Sequence, residues 1–237
     1  INDYYDYESG VDTLESKSGS QILPRQLLSP GAIYWGGITA FAIGSAFGLL
    51  LVTMCGWPIL ALGIASVLAG YFYTANPVSL AYIALGEATV FVFMGTVIVA
   101  GAYYVQRETF ALVPILTSLP VGCLVAAILQ ANNIRDSESD RSNGKNTLAT
   151  VVGRSAANWE LAALIYGAFL LTGGLVAFGY LPVPILLTFL SLRMAAPLVN
   201  RVFRETDLRD IDEQTAKLHL EYGVLLITGL LIGGPFF

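Results

Sequence analysis

The sequence predicts an all-helical, multi-pass membrane bundle, and three observations predict it. Of 237 residues, 55% are hydrophobic and only 12% are charged, against ~25% charged in an ordinary soluble domain. Mean hydropathy is +0.68. Residues 26–86 contain no Lys, Arg, Asp or Glu, a run too long for one span of ~20 residues. The Cys55-Gly56-Trp57-Pro58 break divides it. Spans are therefore expected near 30–52, 58–75, 82–104, 110–131, 159–179, 183–200 and 217–235, seven in all. Gly and Pro are frequent within them, as membrane helices tolerate.

Seven spans sort the loops onto two faces. One carries 1–26, 76–81, 132–158 and 201–216, with Lys17, Arg25, Arg135, Arg141, Lys145, Arg154, Arg201, Arg204 and Arg209, and Lys217 at its edge. The other carries only Arg107. The positive-inside tendency makes the charged face cytoplasmic, and a bacterial inner membrane is the expected location. Net charge is −5 with no basic block, which argues against a nucleic-acid partner.

Two cysteines, Cys55 and Cys123, make neither a disulfide framework nor a zinc cluster and read as small packing residues. A single histidine, His219, cannot build a His-based metal site. Any metal must therefore be held by oxygen, which points to Mg²⁺ or a similar hard ion.

The acidic residues form two matched clusters. The first is Asn2-Asp3-Tyr4-Tyr5-Asp6, with Gly10 and Asp12 following. The second is Asn132-Asn133-Ile134-Arg135-Asp136, with Asp140, Gly144 and Lys145. Both contain Asn-x-x-x-Asp, and residues four apart share a helix face. Asn2 and Asp6 should project together, as should Asn132, Asp136 and Asp140. Carboxylates repel a diphosphate but can hold Mg²⁺, which bridges to phosphate oxygens. Lys145, Arg135, Arg141 and Arg25 could contact a diphosphate directly. Interhelical glue is the structural alternative, yet repeated ionisable groups at membrane depth are costly and usually functional.

These residues resemble the UbiA superfamily of intramembrane prenyltransferases, and most closely its menaquinone branch, the MenA-type 1,4-dihydroxy-2-naphthoate prenyltransferases. The resemblance runs through N-D-Y-Y-D-Y-E-S-G-V-D-T at 2–13, Y-T-A-N-P at 73–77, L-G-E at 85–87, the 132–149 motif and T-A-K-L-H-L at 215–220. It implies one UbiA-like domain over 1–237, with about seven of nine helices present and the first helix and most of the second lying before Ile1. It implies Mg²⁺-dependent transfer of a polyprenyl group from an allylic diphosphate to an aromatic acceptor, 1,4-dihydroxy-2-naphthoate, in menaquinone or phylloquinone synthesis. The lipid bilayer and these two substrates are the expected partners. Asp3, Asp6, Asp12, Asp136 and Asp140 become metal ligands. Asp6, Asp136, Asp140 and Tyr73 become catalytic. Asn2, Asn132, Arg135, Arg141, Lys145, Arg25 and Glu87 become substrate contacts. Tyr4, Tyr5 and Tyr71 are further candidates for stabilising a carbocation.

The chain departs from the ubiquinone branch in two places. Gly10 stands where that branch has a third acidic residue, with Asp12 two positions on. Pro77 replaces the Lys of its Tyr-x-x-x-Lys, which argues against a 4-hydroxybenzoate acceptor. Gly144-Lys145-Asn146-Thr147 also lacks the usual Arg of Gly-Lys-Arg-Thr. A different aromatic acceptor, or an ion-coupled transporter, are the competing readings.

Overall fold

The computed structural model describes residues 1–14 and 21–234. Lys17, assigned above to the charged face, and the end of the last span at 235 lie outside the described residues. The described residues form nine main helices: α1 (Asn2–Glu8), α2 (Pro30–Cys55), α3 (Trp57–Phe72), α4 (Gly86–Arg107), α5 (Leu112–Ser142), α6 (Leu148–Val152), α7 (Arg154–Ala177), α8 (Val183–Arg204, its first part Val183–Ser191 wound as a 3-10 helix) and α9 (Ile211–Gly233), with a short 3-10 turn at Leu80–Tyr82. In hydrocarbon every backbone N–H and C=O must be satisfied within the segment, so apolar runs of this length become helices.

All seven expected spans are present as helices. Six are long and apolar enough to cross a bilayer, while α3 is apolar but has only 16 residues. At 1.5 Å per residue it reaches roughly 24 Å, short of a ~30 Å hydrocarbon core. The protein is thus an integral, multi-pass membrane protein.

The helix boundaries follow local chemistry. Ser29 accepts from the Ala32 N–H at 3.2 Å, with Pro30 opening α2. Gly56, at φ +80°, makes the sharp α2–α3 turn that Pro58 then re-enters. The largest departure from expectation is α5. It does not end near 131 but runs 31 residues to Ser142, roughly 46 Å. No Gly or Pro interrupts 132–143, so the polar half of the helix simply continues the apolar half. Gly144, at φ +73°, ends it. From Asn132 to Asp140 the second acidic cluster is therefore helical, and only Gly144 and Lys145 lie beyond the helix end.

The buried core lies on one side of the bundle. Ala127, Ala131 and Ile134 of α5, Leu161, Ile165 and Ala168 of α7, Ile185 and Ala195 of α8, and Leu218 and Tyr222 of α9 interlock there. Tyr222 shares a buried hydrogen bond with Thr172. Small residues set the spacing, as in other membrane helix contacts. Gly95, in a π-helical run over Phe91–Val97, faces Gly122 of α5. By contrast, α2 has no buried residue, and its apolar side chains are open to lipid and to the cavity described below.

At Gly229 one backbone lies against another, so that an added Cβ would lie 2.6 Å from the Ile185 Cα and 2.7 Å from the Pro184 carbonyl oxygen. Backbone cannot yield there as a flexible side chain would. Gly229→Ala should lower the detergent-solubilised melting temperature, costing about 1–3 kcal/mol. Gly223→Ala, on the same helix with nothing within 4 Å, should be neutral or slightly stabilising. Equal melting temperatures for the two variants would refute this packing.

Candidate active site

The first cluster is built on α1. Asn2 Nδ2 donates to Asp6 Oδ2 at 2.8 Å, the i,i+4 pairing expected from spacing. Gly10 adopts φ +77°, a left-handed conformation that glycine takes at little cost. The turn it makes lets the Val11 and Asp12 N–H groups both donate to the Asp6 carbonyl, at 2.9 and 3.0 Å. Asp12 is thereby folded back beside Asp6, and both are 6% exposed. Gly10 thus replaces an acidic side chain with a turn that delivers the next one. Tyr4, Tyr5, Tyr34 and Tyr71 do not line the cavity. They dock α1 against the bundle, with the Tyr4 ring packed at a tilt against that of Tyr34 and the hydroxyls of Tyr5 and Tyr34 each 3.4 Å from that of Tyr71.

The second cluster is the C-terminal part of α5 and the turn after it. Lys145 Nζ lies 3.9 Å from an oxygen of Asp6 and 3.9 Å from one of Asp140, so one ammonium bridges the two clusters. It also sits 5.3 Å from the centre of the Tyr82 ring. Tyr82 donates to Asp6 Oδ1 at 2.7 Å. Burial, then the Asp6 charge, pushes the Tyr82 phenol above its ordinary pKa, so it remains a donor. The 76–85 segment that carries Tyr82 is tied down by a hydrogen bond from the Ala84 N–H to the Asn146 carbonyl at 2.7 Å.

Both clusters open onto one cavity of about 1540 Å³. Its mouth holds Asn2, Asp6, Asp12, Asn132, Asn133, Asp136, Asp140, Lys145 and Asp212. Below them, α2, α3, α4 and α5 supply an almost wholly apolar wall. On α4 this wall extends from Thr89 to Gln106, roughly 25 Å along the helix axis. Tyr73 lines the cavity near its mouth.

Not every nominated residue arrives there. Asp3 and Arg25 lie outside the cavity lining, and Arg25 is exposed. Arg141 points away and donates to the Thr150 carbonyl at 2.9 Å. Arg135 is spent on carboxylates, forked onto Asp136 and paired with Asp212 at 2.5 Å. Glu87 is buried behind Asn133, whose amide donates to it at 2.7 Å. Spacing alone missed Asn133, Tyr82 and Asp212. The Asn132-Asn133 doublet is the only sequence signal for the first, and Asp212 lies in the 201–216 segment that charge assigns to a loop but that the structure makes the first turn of α9.

The residues suit a hard divalent ion. Five carboxylates line the mouth, with Lys145 and Arg135 as the cations among them. Asp140 Oδ2 is buried without a hydrogen-bond partner. Burial first, and then the charges of Asp6 and Asp3, push the Asp12 carboxyl up to about 6. Among the described residues no three acidic, His or Cys side chains converge as a preformed cage. Mg²⁺ does not require one, since it is usually held by one or two carboxylates with water and substrate phosphate completing its shell.

Residues 1–220 match the UbiA prenyltransferase family. The chain is 32% identical over 235 residues to 1,4-dihydroxy-2-naphthoate octaprenyltransferase of Bacillus subtilis (strain 168), covering 98% of this chain and 76% of that protein. It is 29% identical over 242 residues to UbiA prenyltransferase domain-containing protein 1 of Mus musculus, covering 98% and 68%. The Danio rerio protein of the same name is 30% identical over 234 residues, with the same coverage. A family match over most of the chain, together with acidic clusters above an apolar well, displaces the transporter reading. The chain belongs to the UbiA prenyltransferase family and is a membrane-embedded prenyltransferase.

Proposed function

We propose that the cavity binds an allylic polyprenyl diphosphate, diphosphate at the carboxylate mouth and hydrocarbon along the apolar wall. The prenyl group is transferred to 1,4-dihydroxy-2-naphthoate in an Mg²⁺-dependent reaction of menaquinone or phylloquinone synthesis. One observation carries this reading: both acidic clusters and a long apolar well belong to a single cavity. The naphthoate named in the Bacillus subtilis relative supports the acceptor. The loop charges support a mouth facing the cytoplasm, and that relative supports a bacterial inner membrane.

Asp6, Asp12, Asp136 and Asp140 would hold Mg²⁺ in this reading. Bound there, the metal supplies neutralisation of the charge that develops on the departing diphosphate. Lys145, already between the clusters, donates to the diphosphate oxygens as a point charge. Asn2 and Asn132 position Asp6 and Arg135 respectively. Arg141, Arg25 and Asp3, being away from the cavity, drop out of the contact set. The apolar wall excludes the water that would quench a carbocation. Tyr73 turns its ring to the cation formed near the mouth, and a phenol with a reference pKa of about 10 stays protonated meanwhile. Glu87 holds the Asn133 amide in place against the aromatic acceptor.

Three predictions test this. With labelled geranylgeranyl diphosphate and the naphthoate, EDTA should abolish product and Mg²⁺ should restore it. Asp136→Ala and Asp140→Ala should each lower kcat by about 10²–10³-fold, the scale of losing one electrostatic stabiliser of the transition state. Unchanged rates would sink the metal assignment. For Tyr73, the ring and the hydroxyl separate: Tyr73→Phe should keep the rate within about threefold, while Tyr73→Leu should lose roughly 3–30-fold, the value of a desolvated cation–π contact. A larger loss in the Phe variant would assign the role to the hydroxyl instead.

A further inference from the structure

Both oxygens of Asp136 are already engaged. Arg135 Nε donates to its Oδ1 at 3.0 Å and Nη2 to its Oδ2 at 2.9 Å, so both carboxylate oxygens are engaged by one guanidinium. The same guanidinium has a second carboxylate partner, with Nη1 2.5 Å from Asp212 Oδ2. Nη2 also donates to Asn132 Oδ1. The Arg135 and Asp136 side chains are each 8% exposed, and that of Asp212 is 28% exposed. Asp136 and Asp212 line the same cavity, from α5 and from the first turn of α9.

Each Asp136 oxygen keeps a second lone pair, but a guanidinium and a divalent cation on one carboxylate repel each other. The arginine fork must loosen as metal-diphosphate arrives. A buried guanidinium released without a partner would be strongly unfavourable, and Asp212 is placed to prevent that. We propose that Asp212 is a positioning residue, which keeps Arg135 paired while Asp136 passes from Arg135 to the metal-diphosphate. The inference rests on the metal-binding reading of Asp136 given above. It differs from a helix-dipole role for an acidic first-turn residue, which would affect the stability of α9 and leave metal affinity unchanged.

The test is Mn²⁺ binding to the purified full chain in nanodiscs with a non-reactive prenyl thiolodiphosphate, following free Mn²⁺ by electron paramagnetic resonance. Asp212→Asn should weaken Mn²⁺ binding about tenfold, within the coupling range of residues in contact. Asp212→Glu should recover most of that loss. In an Arg135→Gln background, Asp212→Asn should change the affinity less than about twofold, because the group it serves is gone. Equal losses in both backgrounds would make Asp212 a direct ligand and overturn the proposal, as would wild-type affinity in Asp212→Asn. If Arg135→Gln does not fold, the comparison of Asp212→Asn with Asp212→Glu decides, and failure of Glu to rescue overturns the proposal. Asp136→Asn binding Mn²⁺ like wild type would instead remove the metal reading of Asp136 itself, and this inference with it.

Discussion

The structure depends on how a crowd of like charges is held at one end of an apolar bundle. Asp6, Asp12, Asp136, Asp140 and Asp212 share a cavity mouth, and carboxylates so close repel unless cations intervene. Lys145 spans the two clusters, and Arg135 ties α5 to α9. These two cations let helices distant in sequence bring their carboxylates together. The surplus negative charge that remains makes the mouth a receptor for a hard cation and, through it, for an anion that bare carboxylates would reject.

The bundle divides the mechanical work unevenly. On the α5, α7, α8 and α9 side, small residues allow backbones to touch, and buried Tyr222, Leu161 and Ile165 fill the core. That side is the rigid wall from which Asp136 and Asp140 project. On the α2, α3 and α4 side, few side chains are buried, and many apolar ones face a cavity and the lipid. A long hydrocarbon needs a wall without competing polar groups, and the sparse packing there leaves room for one. Rigidity serves the charged end, where placement matters to fractions of an ångström, and openness serves the greasy end, where it does not.

Much of the mouth was legible in the sequence because it obeys local periodicity. Asn2 with Asp6, and Asn132 with Asp136 and Asp140, follow the four-residue helical repeat, and the turn at Gly144 brings Lys145 back toward them. Individual arginines were not legible by the same rule. Arg141 follows Asp140 directly, but one residue on a helix is a rotation of about 100°. That rotation takes Arg141 off the cavity and onto the Thr150 carbonyl. Asp3 fails for the same reason beside its neighbours on α1.

By itself, then, the sequence determined a multi-pass helical bundle, the two acidic clusters and their common end, because composition and short-range spacing carry that information. Only the tertiary structure decided which side chains meet. It brought Tyr82 to Asp6 across 76 residues and Glu87 to Asn133 across 46. It also gave Arg135 its partner on α9 in Asp212. No local pattern encodes such pairings, since they arise from how whole helices pack. The burial that packing creates is also what makes each of these polar contacts necessary.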